Sequence, residues 1–195
     1  MAASKDELVF NYDWLSLDKA DIELISYLLL NGNVFVGSLS ELCRALGRSD
    51  NTRSRNGRQQ AIDRLCALGI IVCGKKRART FKITLAVPKG EEKINIERQH
   101  LENIMRREYE RSVAWQQVLK VYLWFRANGN GVIEFQRHQI ASALGVSTST
   151  ITEATHVLKD HYGAITAQRK GYIDGEGNPR CWGQEAQLSA FWLNN

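Results

Sequence analysis

From Asn51 to Ile62 the chain carries three arginines, Arg53, Arg55 and Arg58, together with Asn56, Gln59 and Gln60, and not one acidic residue. A guanidinium presents two parallel donors that match the O6/N7 edge of guanine, and an Asn or Gln amide matches the N6/N7 edge of adenine. Arg53, Arg55, Asn56, Arg58 and Gln59 are therefore the candidate base-reading side chains. A helix that uses charge only for solubility mixes acids with bases, which this run does not. A second polar run, Lys75, Lys76, Arg77 and Arg79, suits phosphate or minor-groove contact. Eleven Lys/Arg against two acids lie between Arg44 and Lys82, a net of +9 in a chain whose total is +5. Positive charge concentrated in one stretch is what a polyanion-binding face requires.

These side chains need elements to hold them. Residues 21–30 form an apolar-rich helix closed by Asn31, Gly32 and Asn33, and Val34, Phe35 and Val36 read as a very short strand. Ser38 and Glu41 have the spacing of a capping box for a helix over 39–46. The third helix places Ala61, Ile62, Leu65 and Leu68 on one stripe and stops at Gly69. Two strand-like runs, 70–73 and 80–85, flank the basic segment as a hairpin loop. Helix, short strand, helix, turn, helix, hairpin is the winged-helix order. Pro88, Lys89 and Gly90 mark a boundary, after which Ile94, Ile96, Leu101, Ile104 and Met105 predict a linking helix over 95–111. That segment packs on its own protein, with pairing to a second copy as the alternative reading.

The plan then repeats. A helix over 113–127 is broken at residues 128–131, a short strand covers 132–135, and a helix runs over 137–144. From Gln139 to Ile151 the chain resembles the helix-turn-helix pattern of bacterial regulators. Ala141 permits close helix crossing, Gly145 supports a left-handed turn, Val146 plugs the core and Ser147 caps the next helix. With Ile140, Leu144 and Ile151 buried, the side chains left facing outward include Thr148, Ser149, Thr152, Glu153 and His156. Hydroxyls and free amides at a helix N-terminus suit phosphate or base-edge contact, so Ser147, Thr148, Ser149, Thr152 and His156 are candidate contacts. The longer second wing, from Ala164 through the turn at 174–179 to Phe191, Trp192 and Leu193, offers Arg169 and Lys170, diluted by Asp174 and Glu176. The two copies share an order of elements and little sequence.

Other chemistry is not indicated. No phosphate-binding loop, zinc-protease or nucleophile-elbow motif is present, so neither catalytic nor metal-binding residues nor a cofactor is expected. The four cysteines, Cys43, Cys66, Cys73 and Cys181, have no metal-clip spacing and read as small buried hydrophobes. No run of eighteen apolar residues and no signal-peptide layout occurs, which points to a cytoplasmic, nucleoid-associated protein with no membrane partner.

The expected fold class is mostly α with small β-hairpin wings (α+β). Two tandem winged helix-turn-helix domains, 21–88 and 113–195, follow an N-terminal extension, 1–20, and are joined by the linking helix within 89–112. This layout resembles the tandem winged-helix replication initiators of plasmids and the replication or regulatory proteins of phages and other mobile elements. The resemblance implies duplex DNA as partner, a homodimer formed through one module, contact with replication or transcription machinery, and a switch between a repressing dimer and an origin-binding monomer. The leading expectation is a sequence-specific DNA-binding transcriptional regulator. A mobile-element replication initiator binding origin repeats is the alternative, and a winged-helix protein-interaction adaptor the third reading.

Overall fold

A computed structural model describes residues 7–77, 80–86, 92–129 and 132–189. The chain is α+β, with helices and small antiparallel sheets divided between two compact units. One unit is continuous, Leu17–Glu91; the other joins Met1–Ser16 to Glu92–Asn195. Among the described residues no helix is long and apolar enough to cross a membrane.

In the continuous unit, α1 (Lys19–Leu30), β2 (Val34–Gly37), α2 (Leu39–Ala45), α3 (Thr52–Ala67), β3 (Ile71–Arg77) and β4 (Thr80–Leu85) follow in order; the first strand, β1 (Glu7–Asn11), belongs to the other unit. The strands form an antiparallel sheet in the order β2-β4-β3. The capping box is present: the Ser38 hydroxyl accepts from the Glu41 amide, and the Glu41 carboxylate accepts from the Ser38 amide at 2.7 Å. Ile22, Ile25, Leu28, Leu42, Ala61, Leu65, Ile71 and Ile83 close the core. Each large aliphatic side chain withdrawn from water contributes about 1.5–3 kcal/mol. Leu68, expected on that stripe, is instead 60% exposed, because it is the residue that caps α3 as the chain turns away. Of the four cysteines only Cys43 is buried; Cys66 is half-buried, and Cys73 and Cys181 are exposed.

The discontinuous unit corrects two expectations. The N-terminal segment is no free extension: β1 (Glu7–Asn11) and the 3-10 turn Tyr12–Ser16 bury Leu8, Phe10, Trp14 and Leu15. The helix expected over 95–111 is divided. Lys93–Glu97 is a strand, β5, antiparallel to β1, with Ile94 opposite Phe10 and Ile96 opposite Leu8. Helix α4 covers only Arg98–Arg106 and ends on Arg107 in the left-handed region at φ 53°. The cause is periodicity: Ile94 and Ile96 alternate with exposed Lys93 and Asn95, the two-residue repeat of a half-buried strand. This segment is part of its unit's core, with His100, Leu101 and Ile104 fully buried.

The rest of that unit runs α5 (Trp115–Asn128), β6 (Val132–Phe135), α6 (Arg137–Leu144), α7 (Thr148–His156) with a π-helical turn to His161, β7 (Ile165–Ile173) and β8 (Pro179–Leu188). Its strands pair in the order β6-β8-β7. From α1 and from α5 onward, the two units thus share one element order and one sheet topology. Gly145 takes the left-handed conformation (φ 63°) at the turn between α6 and α7, and Ile140, Leu144 and Ile151 are buried around it. Val146, expected as the core plug, is half-buried. The buried Lys120 ammonium donates to the carbonyl of Leu144 at the C-terminus of α6, where the helix dipole favours a cation. The apolar end expected for the second wing, Phe191 to Leu193, lies outside the described residues.

Candidate nucleic-acid interface

Helix α3 opens on Asn51, whose side-chain oxygen accepts from the Ser54 amide at 2.8 Å. That fixes the helix start and sets which residues of the Arg/Asn/Gln run face out. Thr52, Arg53, Asn56, Gln59 and Gln60 are exposed, a stripe along the first turns opposite Ala61, Ile62 and Leu65. Arg55 stands half-exposed at its edge, 3.5 Å from Asp50. Gln59 donates to Asp63 one turn on, at 2.8 Å, leaving its amide oxygen to accept.

Arg58 is not on this surface. It shares the buried stripe with Ala61, Ile62 and Leu65, pairs with the buried Glu23 carboxylate of α1 at 2.7 Å, and donates to the Ala20 carbonyl. An arginine so held reaches a base edge only by giving up both the Glu23 carboxylate and the Ala20 carbonyl. Two more arginines of the basic window are also engaged. Arg48 donates to Glu23, and Arg64 makes a two-pronged pair with the buried Asp21 at 2.8 and 3.1 Å. The Asp21 hydrogen bond raises the Arg64 pKa further above its ordinary value. The window's charge is therefore smaller at the surface than in the sequence.

On the hairpin, Lys75, Lys76 and Arg77 belong to β3 itself rather than to a loop, with Lys75 opposite Phe81 and Arg77 opposite Thr80 across a bulge. Arg79 lies outside the described residues. Lys82 on β4 is exposed. Counted over each unit, the continuous one holds 13 basic and 7 acidic residues, whereas the discontinuous one holds 13 and 14. All of the chain's excess positive charge resides in residues 17–91.

The corresponding helix of the discontinuous unit is built from hydroxyls. Ser147 caps α7 by accepting from the Thr150 amide at 3.2 Å and lies 2.8 Å from the Ser149 hydroxyl. Thr148 and Ser149 are exposed, while Thr152 turns its hydroxyl back to the Thr148 carbonyl. Farther along, carboxylates crowd the face: His156 lies 3.2 Å from Asp160, and Glu153 accepts from Arg111 at 2.9 Å. These acids oppose a polyanion at the His156 end.

The second wing divides by strand parity. Lys170 points to the face that carries Glu134 and Glu185 and contacts them at 2.6 and 2.8 Å, which pushes its pKa up to about 12. Its charge is matched within the sheet by these two carboxylates. Arg180 is likewise held by Asp174 at 2.7 Å. Arg169, one residue earlier than Lys170, faces the opposite side with Phe135 and Gln184, its register partners across β8, and is exposed. Arg137 and His138, which sequence reasoning leaves as ordinary helix residues, line the same cleft as Arg169 and Thr148. The signal for them is their position in the first turn of the helix preceding the Gly145 turn.

No protein-family model matches the chain, and no curated protein sequence matches it.

Proposed function

We propose that the two units are tandem winged helix-turn-helix domains and that the chain is a sequence-specific double-stranded DNA-binding protein acting as a transcriptional regulator. In this reading residues 17–91 supply the principal reading surface. The observation that carries it is the outward stripe Arg53, Asn56, Gln59 and Gln60 on the opening turns of α3, beside a hairpin whose strand carries Lys75, Lys76 and Arg77. Such a helix end entering the major groove offers forked donors to guanine and paired amide groups to adenine, while the hairpin's cations meet phosphates.

The charge asymmetry favours a second reading, a mobile-element replication initiator in which the basic unit reads repeats and the near-neutral unit assembles with a second copy. The two readings part on the target: direct repeats at an origin for the initiator, a single site or inverted half-sites for the regulator.

The experiment is a fluorescence-anisotropy titration of the full chain against duplexes over a range of salt. Neutralising about six phosphates gives a slope of log affinity on log salt of roughly −5. A flat salt dependence with no retention of duplex would instead support a protein-interaction adaptor.

A further inference from the structure

The discontinuous unit has one acid more than it has bases, yet one concavity on it is lined without any carboxylate. A cleft of about 410 Å³ lies between the start of α6, the start of α7 and the inner face of the β7–β8 hairpin. Arg137, His138, Thr148 and Arg169 line it, with Gln184 and Gly183 at its side. Arg137 is oriented by a hydrogen bond from its Nε to the Gln184 side-chain oxygen at 3.4 Å. That leaves the two terminal nitrogens of its guanidinium to donate elsewhere. Among the described residues no acid pairs with Arg137 or Arg169, whereas Lys170 on the other face of the same sheet is held by two.

We propose that this cleft is a phosphate seat. Arg137 from the start of α6 and Arg169 from β7 supply guanidinium forks, the donor type that suits phosphate oxygens. His138 and the Thr148 hydroxyl add donors, and the first-turn amides of α7 face an anion favourably. Phosphodiester of a nucleic-acid backbone and free phosphate monoester share this chemistry. The proposal deepens the duplex-binding reading and rests on it only for the source of the phosphate. A seat of this kind carries no sequence information; it positions the second unit on the backbone.

The test uses the full chain and the double variant Arg137→Gln/Arg169→Gln, with Arg169→Gln alone as the fold-safe companion because Arg169 is exposed. Two titrations are run: duplex at several salt concentrations, and inorganic phosphate without DNA, followed by the backbone amide signals of His138 and Thr148. The expected result is a salt slope smaller in magnitude by about 1 in the double variant, with affinity lost equally for all sequences. An unchanged slope, with phosphate-dependent shifts at His138 and Thr148 that vanish in the variants, would assign the seat to free phosphate. An unchanged slope with no phosphate-dependent shift overturns the proposal. If the unmodified chain binds no duplex at any salt, the duplex-binding reading fails by itself, and the phosphate titration alone decides the seat.

Discussion

Arg58 of α3 reaches back to Glu23 of α1 at 2.7 Å, with both side chains almost withdrawn from solvent, 11% and 5% exposed. The pair orients the helix whose outer face is the candidate reader, and it divides the arginines of one short segment into two kinds. Arg58 holds α3 from within; Arg53, on the outer stripe, is free to meet a partner. Removing one member of a buried ion pair costs roughly 3–5 kcal/mol when it strands the other, and less here, because Glu23 keeps Arg48 as a second partner. Arg58→Ala is therefore expected to lower the stability of the continuous unit in urea unfolding by less than that, up to about 3 kcal/mol. Affinity of the folded fraction for duplex should change little.

Arg53→Ala and Asn56→Ala should behave in the opposite way. Both side chains are exposed and stand opposite the core stripe, so thermal unfolding should be unaltered. Each should cost about 1–3 kcal/mol of affinity for the preferred duplex and relax preference at one base position. Anisotropy titration against matched and single-substituted duplexes reads both quantities.

Lys170→Ala gives an internal control. Its ammonium is already matched by Glu134 and Glu185, so duplex affinity and salt slope are expected to stay as they are. A slope that falls by about 1 on this substitution would return Lys170 to the interface.

The discontinuous unit should be acid-sensitive through His100. Its ring is fully buried, its Nδ1 lies 2.9 Å from the Tyr122 hydroxyl, and Glu97 and Arg126 are the charged groups about it. Burial, with Arg126 adding to it, pushes its pKa down from 6.5 to about 4. Above pH 6.5 the imidazole is neutral whether the chain is folded or not. As pH falls from about 6.5 toward 4, the unfolded chain takes up a proton that the folded chain refuses. Stability is then lost at up to roughly 1.4 kcal/mol per pH unit, roughly 3 kcal/mol in all. Urea unfolding from pH 7 to pH 4 checks this, and His100→Asn should remove that part of the slope whatever it costs at neutral pH.

Long apolar stripes make the helices legible in the sequence. Ile22, Ile25 and Leu28 recur at helical spacing in α1, and Ala61, Ile62 and Leu65 do so in α3. The strand β5 is illegible because only two apolar residues alternate before α4 begins, and its partner β1 precedes the whole continuous unit in sequence. The inward aim of Arg58 is half legible: it falls three and four residues before Ala61 and Ile62, and Glu23 sits between the apolar Ile22 and Leu24. Composition draws attention to the arginine's charge, and burial decides its use. The same holds in the second wing, where one step of strand parity separates Arg169 in its cleft from Lys170 between two carboxylates.

The most direct measurement is selection from a random duplex library, run in parallel with the full chain and with its Arg53→Ala/Asn56→Ala variant, both verified as folded. The outer face of α3 as reader predicts a discrete enriched motif for the chain and loss of information at defined positions of that motif for the variant. No enriched motif, or the same motif recovered at the same affinity by the folded variant, would contradict it.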